Sequence, residues 1–189
     1  MRVRRMMLGV GVALAVLIVT TQTLGAQTTA GTAPRLLFQT STGVAAYDVE
    51  RNESSLWARD ARPAGDWSVL VSASDHGGTT TVASVAAGDG SVLGEFPVDA
   101  PAHVRVVSFR GDQVVLSPHE PGRNGRQPGR SRTTLVVAAT DGTDTRTYDL
   151  AGNIEPEAFS TDGRALFVIE YLPPLQPDRY QVRRLDLVT

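Results

Sequence analysis

One phrase recurs along this chain, and it limits the possible folds more than any other feature. Phe159-Ser160-Thr161-Asp162-Gly163-Arg164-Ala165-Leu166-Phe167-Val168-Ile169 reads as the end of a strand, a tight Asp-Gly turn and an apolar strand. Val107-Ser108-Phe109-Arg110-Gly111-Asp112-Gln113-Val114-Val115-Leu116 repeats the pattern about fifty residues earlier. Pro63-Ala64-Gly65-Asp66-Trp67-Ser68-Val69-Leu70-Val71-Ser72 repeats it about fifty residues before that. A β-hairpin unit of this period buries its apolar face only by stacking on its neighbours. The pattern therefore predicts an all-β repeat of four-stranded antiparallel blades, of the β-propeller type.

From residue 35 onward, short runs of β-branched or alternating residues are separated by Gly, Asp, Asn and Pro clusters, the pattern of strands and turns. Residues 36–40 and 43–49 form a first hairpin, followed by a strand at 55–58. A second set comprises 67–74, 79–86 and 92–98, closed by 104–109. A third comprises 113–117, 133–139 and 145–150, closed by 157–160, and 166–171 with 179–188 opens a fourth. The segments 44–49, 82–87, 135–140 and 182–187 align as the same strand of successive units. The expectation is an incomplete first unit, two complete four-stranded units and half of a fourth: a partial ring of about three to four blades over 35–189. Such an arc either belongs to a longer propeller or closes through another chain. Its open edges favour self-association, with Leu166, Val168, Leu185 and Leu187 expected to lack a covering blade.

The first residues follow a different logic. Arg2, Arg4 and Arg5 precede an uncharged apolar run over 6–20, and small residues follow at Gly25, Ala26 and Ala30. This is the layout of a secretory signal peptide over 1–26. The alternatives are a cut after Ala30 or an uncleaved membrane anchor, for which the apolar run is short. Residues 27–34 are small and polar and read as a flexible tether. The reading is an extracytoplasmic protein, secreted, periplasmic or on the cell surface. Cysteine is absent, which excludes a lipoprotein anchor, disulfides, thiolate metal sites and a cysteine nucleophile. Basic and acidic residues nearly balance at 18 and 20, so the charge gives no reason to expect a nucleic-acid partner.

Several phrases resemble a known family. Phe159-Ser160-Thr161-Asp162-Gly163 is similar to the Phe-Ser-Pro-Asp-Gly phrase of YVTN, TolB-type and WD40-like β-propeller repeats of exported bacterial proteins, with Thr161 in place of Pro. Gly43-Val44-Ala45-Ala46-Tyr47-Asp48, with Leu56-Trp57 following, resembles the quinoprotein-type repeat. The resemblance covers residues 35–189. It implies a propeller fold, and a family that includes binding scaffolds, periplasmic complex components and a few enzymes.

Candidate functional residues are few. Trp57 and Trp67 read either as core residues between blades or as platforms for a sugar. Asp48, Asp141, Asp162 and Asp186 stand beside turns, where an Asp caps its own backbone. His76, His103 and His119 share no metal-ligand spacing. Glu155, Glu157 and Glu170 are the carboxylates nearest the aromatic stretch 159–171, and glycoside hydrolysis would need two of them flanking a sugar bond. No nucleophile elbow or phosphate loop is present in the sequence. No catalytic residue, metal ligand or cofactor is assigned.

The informative irregularities are two insertions. Residues 118–132 carry Arg123, Arg126, Arg130 and Arg132 and interrupt a hairpin whose siblings have short turns. Residues 172–178, with Pro173, Pro174, Gln176 and Asp178, interrupt the equivalent hairpin of the next unit. Equivalent positions in neighbouring blades lie on one face of the ring, so both loops should point the same way. The first reads either as a solvated loop or as a contact for a protein partner or an anionic glycan or lipid surface. The function expected is non-catalytic binding or scaffolding. The alternatives are part of a glycoside- or quinone-type propeller enzyme, or a truncated relic without function.

Overall fold

The computed structural model describes residues 35–118 and 128–187. The signal and tether expected over 1–34 lie outside these residues, as do His119, Arg123 and Arg126. The described chain is all-β and without helix, and forms four antiparallel sheets. Sheet one is β1 (Arg35–Thr40), β2 (Gly43–Asp48) and β3 (Glu53–Arg59). Sheet two is β4 (Arg62–Pro63), β5 (Val69–Asp75), β6 (Thr80–Ala86) and β7 (Val92–Val98). Sheet three is β8 (His103–Val107), β9 (Gln113–Ser117), β10 (Arg132–Ala139) and β11 (Thr145–Ala151). Sheet four is β12 (Asn153–Phe159), β13 (Ala165–Leu172) and β14 (Arg179–Asp186). Each sheet pairs its strands in chain order, the topology of consecutive propeller blades, and the fold is a partial propeller.

The strands fall where the sequence puts them, but their grouping is shifted by one. The strands expected to close the second and third sets are β8 and β12, and each opens the next sheet instead. The reason is β4, which spans only Arg62 and Pro63 and pairs with Val71 and Leu70. Two residues are too few to show a period-2 pattern. The fourth sheet is correspondingly three-stranded, not half a unit.

The four-residue turn inside each repeated phrase keeps nearly the same backbone. The N–H groups of Gly111 and Gly163 donate to Ser108 O at 3.1 Å and Ser160 O at 2.9 Å, with φ of 75° and 69°. In sheet two the same position is Trp67, which donates to Ala64 O at 3.0 Å with φ of 60°. That left-handed conformation costs a glycine little and a bulky side chain appreciably more. Trp67 is held there by packing: its ring and that of Trp57 lie against the core between sheets one and two. The core reading of the two tryptophans therefore holds in part, since both are half-buried.

Three of the four turn aspartates act as expected. Asp48 Oδ1 accepts from the N–H of Glu50 and Arg51, each at 3.0 Å. Asp141 Oδ1 accepts from Thr143 N–H at 3.0 Å, and Asp162 Oδ1 from Arg164 N–H at 3.1 Å. These bonds hold the Asp48 and Asp141 carboxyls below the usual range, and at Asp162 the Ser160 hydroxyl leads the same effect. Asp186 instead pairs with Arg184 at 2.9 Å.

The core lies between the sheets, in three clusters. Val44 of sheet one packs with Ala61, Leu70 and Ala87. Val71, Val82 and Phe96 of sheet two meet Val104, Val114, Leu116 and Val136 of sheet three. Val115, Leu135 and Val137 of sheet three meet Ile154, Leu166, Val168 and Leu187 of sheet four. Leu166, Val168 and Leu187 were expected to lie open and are buried instead, with Leu185 packed beside them. Side chains alternate across a strand, so these residues face sheet three, and the alternate set on β13 and β14 faces outward.

Candidate functional site

The connection that follows β1, β5, β9 and β13 differs from sheet to sheet. It is Ser41-Thr42 in sheet one and residues 76–79 in sheet two. It becomes residues 118–131 in sheet three and 173–178 in sheet four. All four stand at the end of the molecule where β4, β8 and β12 begin, because each sheet threads in the same sense. A cleft of about 650 Å³ opens at this end. Thr40, Asp60, Arg62, Asp75, His103 and Arg105 line it, from sheets one, two and three. Arg62 is oriented by its Nε donating to Val104 O at 3.0 Å.

Beside the cleft, at the junction of sheets three and four, lies a buried ion cluster. The Glu155 carboxylate takes hydrogen bonds from the Arg105 and Arg130 guanidinium groups, one on each oxygen; Glu155 is buried and the two arginine side chains are largely so. Arg105 comes from β8 and Glu155 from β12, while Arg130 is in the first insertion. The registers of β8 and β12 both slip by one, around Arg105 and Glu157 respectively. Such a bulge re-aims a side chain and increases the local bend. Burial pulls the Arg105 guanidinium below its usual value, against the attraction of Glu155 and with the repulsion of Arg62 and Arg130. Burial and the neighbouring Glu155 raise the Glu157 carboxyl, and Arg105 partly opposes them.

Arg130 does more than neutralise Glu155. Its Nε donates to Thr133 Oγ1 and its Nη2 to Ile154 O, both at 3.2 Å. Thr133 Oγ1 donates onward to Gly152 O at 2.8 Å and accepts from Ile154 N–H at 3.0 Å. The backbone N–H of Arg130 donates to Pro174 O at 2.9 Å, joining the two insertions. Asn153 Nδ2 donates to Pro128 O at 3.0 Å and Pro174 O at 3.2 Å, so one buried amide holds both loops.

The structure thus brings the two insertions together, as their equivalence predicts, but it assigns their residues different tasks. Arg130 is turned inward and is occupied. Arg132 is exposed at the start of β10. Pro174 offers its carbonyl to the lock, whereas Pro173, Gln176 and Asp178 are exposed. Asp178 pairs with Arg179 at 3.3 Å. Glu170, once a catalytic candidate, accepts from Gln181 at 2.6 Å and Arg183 at 3.1 Å. Among the described residues no three His, Cys, Asp or Glu side chains stand close enough to hold a metal ion. The ion cluster was not legible in sequence: Arg105 stands 50 residues from Glu155, and Arg130 stands 25 away.

No family model matches the chain, and no curated protein matches it. Among solved structures it is similar to TolB from Acinetobacter baumannii at 12% identity and TM-score 0.47, over 81% of this chain and 38% of that one. It is also similar to the β-propeller domain of the Trilobed protease from Pyrococcus furiosus, at 13% identity and TM-score 0.45, over 82% and 51%. A third similar structure is the Pyrococcus horikoshii acylaminoacyl peptidase, at 9% identity and TM-score 0.49, over 77% and 26%. The chain spans about half or less of the length of each.

Proposed function

We propose that this protein is an exported, non-catalytic binding module that takes its partner on the loop-bearing end of the arc. One observation carries the reading: the two insertions are locked together by Arg130, Asn153 and Pro174, and the lock runs through Glu155 to Arg105 at the cleft. Loops braced by buried contacts beside a concave site are the usual construction of a recognition face, and residues 128–131 and 173–178 are braced in this way. Glu155 and Glu170 are held by arginines or side-chain donors, the arrangement of a structural network. By sequence, Arg123, Arg126 and Arg132 give the first insertion its positive charge, and the partner class that fits is an anionic glycan. Export rests on the Arg-apolar-small order of residues 1–26.

The test is retention of the full chain, kept in mild detergent, on an immobilised polyuronate across a salt gradient. Wild type should be retained and released by salt, as charge-driven binding requires. The triple variant Arg123→Gln, Arg126→Gln, Arg132→Gln should elute with the unbound fraction while its circular dichroism is unchanged. Wild-type flow-through, or equal retention of the variant, would overturn the assignment of the partner to this face.

A further inference from the structure

The outward faces of sheets one and four are the two halves of an interface that the molecule makes internally three times. The registers align Leu36, Leu70, Val114 and Leu166 as one position, on β1, β5, β9 and β13. The same registers align Val44, Val82, Leu135 and Val182 as one position on β2, β6, β10 and β14. Between sheets one and two, Leu70 shares a core cluster with Val44. Between sheets two and three, Val114 shares one with Val82, and between sheets three and four, Leu166 shares one with Leu135. Those six residues are fully buried, yet Leu36 is 58% exposed and Val182 is 66% exposed.

The neighbours of the two leftover residues follow the same rule. Phe38 stands where Leu116 and Val168 face the preceding sheet, and it is exposed with Leu56 beside it. Phe167 stands where Val71 and Val115 face the following sheet, and it is exposed together with Tyr180. Both faces are open at once, so sheet four does not cover sheet one within the molecule.

We propose that the open face of sheet four docks on the open face of sheet one of a second copy, and that two such contacts close a ring of eight sheets. The faces are unlike, so neither repeats the internal contact by meeting its own kind. The contact is head-to-tail, which forms a ring when the rotation closes. Two arcs of four sheets reach eight, the upper end of the usual blade count. Each contact covers aromatic and aliphatic side chains whose equivalents in the interior are dry.

The chain contains no cysteine, so an introduced pair reports only its own geometry. The full chain in mild detergent, which keeps the N-terminal apolar run from associating, should scatter light as twice its 20.1 kDa. Val182→Asp should halve that mass without changing the circular dichroism, because the side chain is on an exposed face. Leu36→Cys mixed with Val182→Cys should form a disulfide-linked dimer on mild oxidation, and neither variant should do so alone. The double variant should give a covalent dimer and no ladder. A wild-type monomer, a Val182→Asp protein of unchanged mass, homodimers of either single variant, or a ladder from the double variant would each overturn the proposal.

Discussion

At the loop-bearing end, the junction of sheets three and four is filled, while the space between sheets one, two and three is open. On the filled side residues 128–131, the described end of the first insertion, meet the second insertion, and Arg130, Asn153 and Glu155 hold the contact. On the open side the corresponding turns are short, and about 650 Å³ is left between them. Length and arginine content mark the insertions as the natural place for a ligand. Their contacts show that part of that length supports the end of the molecule, and that the concave site lies beside it. Arg105 belongs to both sides, since it lines the cleft and pairs with Glu155.

If that contrast is right, the largest loss of stability should come from Glu155→Ala. The variant leaves two buried guanidinium groups without their shared carboxylate, which costs about 3–5 kcal/mol. Urea unfolding followed by circular dichroism measures it. Arg62→Ala, on the open side, removes the hydrogen bond to Val104 O and should cost only about 1 kcal/mol. Equal costs for the two would mean that both sides are built alike.

Gly129→Ala should come next. A Cβ at Gly129 would collide with the Leu175 carbonyl oxygen, a backbone atom that cannot move without separating the two insertions. The expected cost is about 1–3 kcal/mol, with faster proteolysis within 128–131 or 173–178 than in wild type. Unchanged stability and cleavage would show that the loops are not locked.

The smallest effect should come from Glu157→Gln. The folded carboxyl is held above its usual value, so the folded state binds a proton more readily than the unfolded one. Its ionisation therefore removes stability as pH rises through the usual carboxylate range to the raised value. Replacing it should increase Tm slightly at neutral pH, by about a degree for a solvent-screened group, and should change nothing in acid below that range. A gain that persists in acid would place the cause in packing and not in charge.

The hairpins were legible because their signals are local. Asp-Gly turns and alternating strands such as 79–86 and 133–139 need no distant partner to be recognised. The phase of the blades was not, because it turns on β4, two residues long, and on Trp67 in the place of a turn glycine. The insertions were visible by length, and their meeting followed from the repeat. The inward turn of Arg130 was invisible: it depends on Glu155 of the next sheet, 25 residues away. Long-range pairing of that kind leaves no periodic trace.

The two tryptophans sit at one junction. Trp57 lies under the Arg35 guanidinium at 4.9 Å from its ring centroid, and Trp67 occupies its left-handed turn, both against the core between sheets one and two. They are the protein's full complement. Intrinsic emission from this protein is therefore a local gauge, reporting the separation of sheet one from sheet two and remaining silent about the ion cluster. A chain that lost its third and fourth sheets first would keep its fluorescence while its ellipticity fell, and the lag between the two signals would time the order in which the arc comes apart.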